Sequence, residues 1–253
     1  MSSTTLVALV ALAICFWIES VFPLFMDRPN RTGHAVRNVA VSLINGLVVT
    51  LGFSGLIAGS IQWSDLHRTG LLHGLNLPTE ADRIVGFLAF DLWMYGWHRA
   101  NHTLPLFWRF HRMHHSDPAL DSTSALRFHV GEIVLSSIFR LAVIPLLGIS
   151  LRNLVLYEMM LEPVIIFHHS NIALPESWDR WLRLLIVSPN MHRVHHSDIP
   201  TETNSNYASI FSFWDRLWGT YRRREVNSIR YGLKEFQNPR WQTLQGMLLT
   251  PAA

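Results

Sequence analysis

Apolar residues dominate positions 6–25, a stretch about as long as the roughly 20 residues a membrane-crossing helix needs, with Glu19 near its end. It has no basic leading segment and no small-residue cleavage site, so it reads as a retained helix, not a signal peptide. A link carrying Arg28, Arg31 and Arg37 follows, then a second apolar run at 39–61, loosened by Gly46, Gly52, Gly55 and Gly59. A polar segment at 62–83 leads to a third apolar helix from 84 to about 97. The block 133–167 is long enough for two short spans. Pro145 and Gly148 near its middle point to a re-entrant or tightly hairpinned pair. From Pro175 onward the chain is polar, aromatic and basic, with no span of its own. The pattern predicts an all-α polytopic membrane protein with about four transmembrane or re-entrant helices and a cytosolic histidine-rich helical cap.

Orientation follows from charge. The short arginine-rich link belongs in the cytoplasm by the positive-inside rule. Counting spans then places the N-terminus and the 62–83 loop outside, and the end of the third helix back in the cytoplasm. With 133–167 as a hairpin, every cluster of histidines falls on the cytoplasmic face.

Composition sharpens this picture. Of 253 residues, 49% are hydrophobic and only 15% charged, against about a quarter charged in soluble domains. The net charge of +3 is carried almost wholly by arginine, since Lys234 is the single lysine. Arginine near a bilayer acts as an orientation signal and headgroup anchor. No basic run exceeds Arg222-Arg223-Arg224, so no nucleic-acid partner is expected. Scarce lysine also fits a GC-rich bacterial genome, and hence an inner membrane. Cys15 is the only cysteine, which excludes an intrachain disulfide, a cysteine-based zinc site and an iron–sulfur cluster held by this chain. Any metal must bind nitrogen and oxygen.

Fourteen histidines supply the nitrogen. His34, His67 and His73 are scattered and read as satisfied core residues. The other eleven lie between His98 and His196. His98 and His102 are spaced i, i+4 on one helix face. His111, His114 and His115 form H-x-x-H-H, and His192, His195 and His196 repeat it. The two segments read His-Arg-Met-His-His-Ser-Asp at 111–117 and His-Arg-Val-His-His-Ser-Asp at 192–198. Burying so many imidazoles without a metal would leave polar atoms short of partners. Imidazole alone suits zinc, copper, iron or nickel. A structural zinc site needs four ligands, whereas this set can serve two metals with positions to spare, which favours catalysis over storage. A transporter would place its histidines near mid-membrane; here they flank the spans, so a metal-binding or transport protein is the weaker reading.

The ordered set resembles the histidine boxes of the fatty acid hydroxylase/sterol desaturase superfamily: His98-Arg-Ala-Asn-His102, then Trp108 through Asp117, then Pro189 through Asp198. Phe167-His-His169-Ser-Asn171 and Trp214 through Thr220 resemble two further segments, so the likeness covers roughly 91–221. It implies a membrane enzyme with a di-iron centre (two iron ions) at the cytosolic face, using O2 as co-substrate to hydroxylate or desaturate a lipid. It implies ligands His98, His102, His111, His114, His115, His192, His195 and His196. His169, and His129 in Arg127-Phe-His-Val-Gly-Glu132, match further family histidines, and His168 adjoins the site. Zinc can substitute for iron in purified protein. Without a heme or flavin motif in the chain, electrons must come from a separate reductase or a cytochrome b5-like or ferredoxin-like carrier. The implied organisation is 1–90 as N-terminal transmembrane helices, 84–225 as the catalytic domain and 226–253 as a C-terminal tail. The same site also suits a lipid desaturase or an ether-lipid monooxygenase.

A ligating imidazole needs a partner on its second nitrogen. Asp117 and Asp198, just beyond the triplets, and Asp91, two turns before His98, are candidates. Asp117 and Asp198 can equally end helices with Ser116 and Ser197. Asn206, Tyr207 and Asp215 are expected to pack the C-terminal lobe against the site. Glu158 and Glu162, one turn apart in an apolar block, either line a substrate tunnel or pair with Arg140 or Arg152. Trp178, Trp181, Trp214, Trp218 and Trp241 read as an interfacial belt.

Overall fold

The computed structural model describes residues 2–28 and 30–253. Its helices are α1 (Ser3–Val21), α2 (Arg31–Gly52), α3 (Ser54–His67), α4 (Leu71–Leu75), α5 (Thr79–Thr103), α6 (Pro105–His115), α7 (Val130–Leu147), α8 (Leu151–His169), α9 (Glu176–Leu185), α10 (Pro189–His195), α11 (Pro200–Thr203), α12 (Phe213–Leu217) and α13 (Leu244–Leu249). No strand occurs among the described residues, only isolated bridges such as Pro23 with Ile172. Of these helices, α1, α2 and α7 are long and apolar enough to cross a membrane.

The start of each long helix is set by local chemistry. The Ser2 hydroxyl accepts from Thr5 N at 3.2 Å and opens α1. The Asn30 side chain accepts from Gly33 N at 3.2 Å and opens α2. A Cβ on Gly33 would lie 2.5 Å from that Asn30 oxygen, so the cap requires glycine there. The apolar run 39–61 does not form one helix as its hydropathy suggests. It breaks at Phe53 (φ −128°, ψ −26°), between α2 and α3. Gly52 and Gly55, poor helix formers, flank the break, and Ser54 Oγ back-bonds to Thr50 O at 2.7 Å, an interaction that bends helices. The third apolar run is likewise only the middle of α5, whose 25 residues reach about 37 Å. Pro105 ends α5, because the residue before a proline is driven out of helical geometry; Leu104 is extended, at φ −97° and ψ 119°.

The block 133–167 does divide into two helices, joined at Gly148 (φ +72°), whose N–H closes on Ile144 O at 2.9 Å. The pair is splayed, not a tight hairpin. From the joint, α7 packs on α2 and α3, α8 packs on α1, and α5 touches both. Arg140 on α7 donates to Glu158 on α8 at 2.9 Å, a structural ion pair between the two helices. The core between them gathers Ile61, Leu72, Phe90, Ile144, Leu154, Tyr157 and Ile210, so the loop before α12 packs among α3, α4, α5, α7 and α8.

The ends of α1, α5 and α8 and the starts of α2 and α7 meet at one end of the bundle. Glu19, fully buried, accepts from Asn171 N at 2.8 Å, from Ser122 Oγ at 3.0 Å and from Arg31 at 2.9 Å. Arg28 pairs with Asp121 at 2.6 Å. The arginine-rich link therefore lies at the same end as the histidines, as span counting implies. The C-terminal residues fold back onto this end: Arg112 donates to Ala253 O at 2.7 Å, and Arg127 to Gln242 at 2.9 Å.

Candidate metal centre

Nine imidazoles converge where α5, α6, α8 and α10 meet. His98, His102, His111, His115 and His195 form one group, and His114, His169, His192 and His196 a second. Within each group, one nitrogen per ring lies within 4.8 Å of every other. The two H-x-x-H-H segments divide in opposite senses. α6 sends its i, i+4 pair, His111 and His115, to the five-membered group and His114 to the other. α10 and the residue after it send His192 and His196 to the four-membered group and His195 to the first. Each of these two segments thus contributes to both groups, whereas His98 and His102 both join the first, and the His115 and His196 rings stack between the groups at 4.5 Å.

The second ring nitrogens decide what the first can do. His98 Nδ1 faces Tyr207 O at 2.8 Å, His195 Nδ1 faces Ser205 O at 2.6 Å, His169 Nδ1 faces Ile165 O at 2.7 Å and His114 Nδ1 faces Arg127 O at 3.3 Å. A carbonyl only accepts, so each Nδ1 carries the proton and each Nε2 presents a bare lone pair. His111 Nδ1 is set the same way by Glu132 Oε1 at 2.9 Å, and His102 Nδ1 lies 3.3 Å from Asn204 Oδ1. The Nε2 atoms of His102, His111, His115 and His195 are buried and have no hydrogen-bond partner. In the second group, His169 Nε2 lies 3.0 Å from His114 Nε2 and from His192 Nε2, and 3.2 Å from His196 Nε2. Both His169 and His114 present lone pairs, so without a cation between them two acceptors would face each other. A tetrahedral ion with metal–nitrogen bonds of about 2.0–2.1 Å would space its ligands by about 3.3 Å, close to these separations.

Electrostatics agree. Burial, then the neighbouring imidazoles, hold His114, His115, His192 and His196 well below the ordinary histidine range. Burial takes His195 down to about 3. These five rings are neutral, the form that binds metal.

The model of the fatty acid hydroxylase family matches residues 83–220, more than half of the chain and all nine converging histidines. The chain belongs to the fatty acid hydroxylase family. Among curated proteins, alkylglycerol monooxygenase of Danio rerio is 30% identical over 168 residues, covering 64% of this chain and 35% of the relative. Ornithine lipid hydroxylase OlsE of Rhizobium tropici is 30% identical over 148 residues (58% and 43%). Human cholesterol 25-hydroxylase is 26% identical over 160 residues (59% and 57%). The chain therefore spans between about a third and three fifths of the length of these relatives. No solved structure matches the chain.

Several sequence expectations fall elsewhere in the structure. His129, matched to a family histidine, caps α7: Nδ1 accepts from Gly131 N at 2.9 Å and Nε2 donates to Leu248 O at 3.1 Å, so both nitrogens are used outside the two groups. Asp117 turns away from the box imidazoles and takes His34 Nε2 at 2.8 Å and Ser124 Oγ at 2.7 Å. Against the cost of its burial, His34 and Arg127 hold its carboxyl well below the usual range. His34 is thus the satisfied core residue expected, with a partner 83 positions away. Asp91 accepts from Tyr157, Trp214 and the Phe211 N–H and anchors the loop before α12. The Asp198 N–H donates to Arg230 O at 2.9 Å, and its carboxylate reaches no imidazole. His168 is buried beside His192, with ring centroids 4.0 Å apart, but lies outside both groups. Asn206 and Asp215 do pack the C-terminal lobe: Asn206 donates to Met191 O at 2.9 Å, and Asp215 accepts from Tyr207 N at 2.7 Å. The groups behind the imidazoles are mostly backbone carbonyls, which no residue identity signals. Glu132 and Asn204 are the side-chain exceptions, and Glu132 closes the very segment that carries His129.

Proposed function

We propose that this chain is a membrane-bound di-iron oxygenase that hydroxylates a lipid C–H bond, on a fatty acyl, sterol or related lipid, using O2 and externally supplied electrons. The observation that carries this reading is the pair of adjacent nitrogen-only groups whose rings point bare Nε2 atoms inward. Its relatives are named as hydroxylases and monooxygenases, and oxidising an unactivated C–H bond calls for a redox-active metal, which zinc is not. Iron held there would supply the oxygen-activating redox chemistry. His98, His102, His111, His115 and His195 would hold one ion, and His114, His169, His192 and His196 the other. Glu132, Asn204 and the carbonyls of Tyr207, Ser205, Arg127 and Ile165 keep the rings in the ligating tautomer. Burial of nearly every ring excludes bulk water from the reacting centre.

Residues 1–90 supply the N-terminal membrane helices, 84–225 carry the catalysis and include α7, itself long and apolar enough to cross a membrane, and 226–253 form a C-terminal tail. The arginines at the histidine end support a cytoplasmic site, in a bacterial inner membrane. One cysteine and no flavin or heme motif call for a separate donor, a reductase or a cytochrome b5-like or ferredoxin-like carrier. The test is an accurate-mass lipid profile of cells expressing the chain beside His195→Ala and His114→Ala controls. A lipid gaining one oxygen only with the intact chain is expected. A lipid losing two hydrogens instead would make the enzyme a desaturase, and folded protein without bound iron would sink the di-iron reading.

A further inference from the structure

Helix α9 is built inside out for a soluble surface. Its inward face carries charge: Asp179 is fully buried, and Arg183, 6% exposed, pairs with Asp179 and with both oxygens of Glu176. Its outward face carries Trp178 (73% exposed), Trp181 (65%), Leu184 and Leu185 (61%). Trp178, Trp181 and Leu185 recur at i, i+3 and i+7, one stripe along the helix. α12 extends this surface, because Ser212 and Arg216 both donate at 2.7 Å to Arg183 O at the end of α9. That contact brings Leu217 (68%) and Trp218, both exposed, beside it. Of the five tryptophans expected in an interfacial belt, only these three are largely exposed. Trp214 is spent on Asp91, and Trp241 packs edge-on against Phe236.

The fold also sets the depth of this face. α1 reads as a membrane span, so its end marks a bilayer boundary. At that end the exposed Phe22 accepts from Ala173 N at 2.8 Å, and Pro23 pairs with Ile172. Pro175, two residues further on, is the cap from which α9 starts. The helix therefore begins level with the exit of α1, where Val21 and Phe22 are themselves exposed, on the side of the histidines. Exposed Arg180, whose guanidinium sits over the Trp181 ring at 5.2 Å, and exposed Arg223, which donates to Glu176 in the first turn at 2.8 Å, flank it, as snorkelling cations do at headgroup level.

We infer that α9, with the tip of α12, lies in the plane of the membrane and buries Trp178, Trp181, Leu184, Leu185, Leu217 and Trp218 in the headgroup–acyl boundary. The partner of this surface is the lipid bilayer itself. Such a helix binds through its apolar face and keeps its polar face for the protein, reversing the usual arrangement around a core. α9 leads directly into α10, so the docked helix holds His192, His195 and His196 at a fixed height above the acyl chains. This placement is independent of the reaction catalysed.

The test uses the full chain in liposomes of phosphatidylcholine and phosphatidylglycerol. Cys15 is buried, so a nitroxide label goes to one introduced cysteine at a time: Trp181→Cys or Leu185→Cys in α9, and Thr201→Cys, exposed in α11, for comparison. Labels at 181 and 185 should collide with bilayer-enriched oxygen and lose collisions with a water-soluble nickel complex relative to the label at 201. Nickel collisions at 181 and 185 equal to those at 201 would overturn the inference. So would exclusion of both quenchers with spin–spin broadening, which would assign the face to a second copy of the chain. Circular dichroism and metal content matching the unlabelled chain establish that each labelled variant is folded.

Discussion

Behind the five-histidine group, four Nδ1 atoms are tied: His98 to Tyr207 O, His195 to Ser205 O, His111 to Glu132 and His102 to Asn204. Behind the four-histidine group only two are tied, His114 to Arg127 O and His169 to Ile165 O, while the Nδ1 atoms of His192 and His196 are buried without partners. The two groups present similar nitrogens inward but differ in how firmly those nitrogens are aimed. A ring whose tautomer and orientation are set in advance loses less freedom on binding, so the five-membered group should hold its ion more tightly. The four-membered group has no spare ligand and less backing: two of four Nδ1 atoms are tied, against four of five, where His115 Nδ1 alone is unpartnered.

The largest expected effect tests this inequality directly. Removing one ligand of four, His192→Ala, should bring bound metal from two ions per chain to one and take lipid oxidation to background. Removing one of five, His98→Ala, should leave two ions bound while still impairing turnover. Metal analysis of both purified variants checks the pair; equal losses would show that backing and ligand number do not distinguish the groups. A chelator titration of the intact chain sharpens the point, since one ion should leave well before the other.

The next effect isolates a single backing group. Glu132→Gln keeps an acceptor near His111 Nδ1 but removes the charge. Loss of such an outer partner typically costs about 10–100-fold in metal affinity or activity. Competition against a calibrated chelator should place Glu132→Gln in that range, with the effect confined to the more tightly held ion. An unchanged affinity would mean that the carboxylate serves Asn101, 3.2 Å from the same oxygen, and not the ring.

Acid should separate the metal-free protein from the loaded one. His195 titrates near 3 when folded, and an unfolded histidine near 6.5. Between those values the unfolded chain binds more protons, so stability falls as pH drops below about 6.5, by about 2 kcal/mol at pH 5 for this ring alone. The other depressed imidazoles push in the same direction. Thermal unfolding of chelator-treated protein in detergent should therefore weaken steadily from pH 7 to pH 5. A flat profile would mean that the rings are not buried and neutral in the metal-free state.

The sequence revealed the histidines but not their division. Spacing of i, i+3 and i+4 places three rings on one helix face, and that much is local. Whether His114 or His115 serves a given ion depends on how α6 and α10 are rotated toward each other across 81 positions of chain, which no window contains. The backing carbonyls were invisible for a different reason. Every residue has a carbonyl, and only the path of 204–207 over the site selects Ser205 and Tyr207. Asp117 and Asp91 lie near the histidines along the chain but not in space, because His34 and Trp214 claim them from afar. Hydropathy located the membrane part but blurred its edges. The break at Phe53 rests on backbone geometry that average hydropathy does not register, and α5 extends past its apolar middle at both ends.

Asp91 gives the smallest effect and the cleanest contrast with Glu132. Both are buried carboxylates within reach of the histidine-bearing helices, yet Asp91 touches no imidazole. It accepts from Tyr157 Oη at 2.8 Å, Trp214 Nε1 at 2.9 Å and Phe211 N at 3.2 Å, joining α5, α8 and the loop before α12. Asp91→Asn keeps the volume but turns one acceptor into a donor facing donors, leaving at least one buried group unpaired at a cost of about 1–3 kcal/mol. The variant should melt at a lower temperature while binding both ions as the parent does, the reverse of Glu132→Gln, which should weaken metal binding with little change in the metal-free melting point. Were Asp91→Asn to shed metal at an unchanged melting temperature, its place two turns from His98 would matter more than its bonds to Trp214 and Tyr157. The distinction between a carboxylate that aims a ligand and one that holds the fold would then fail.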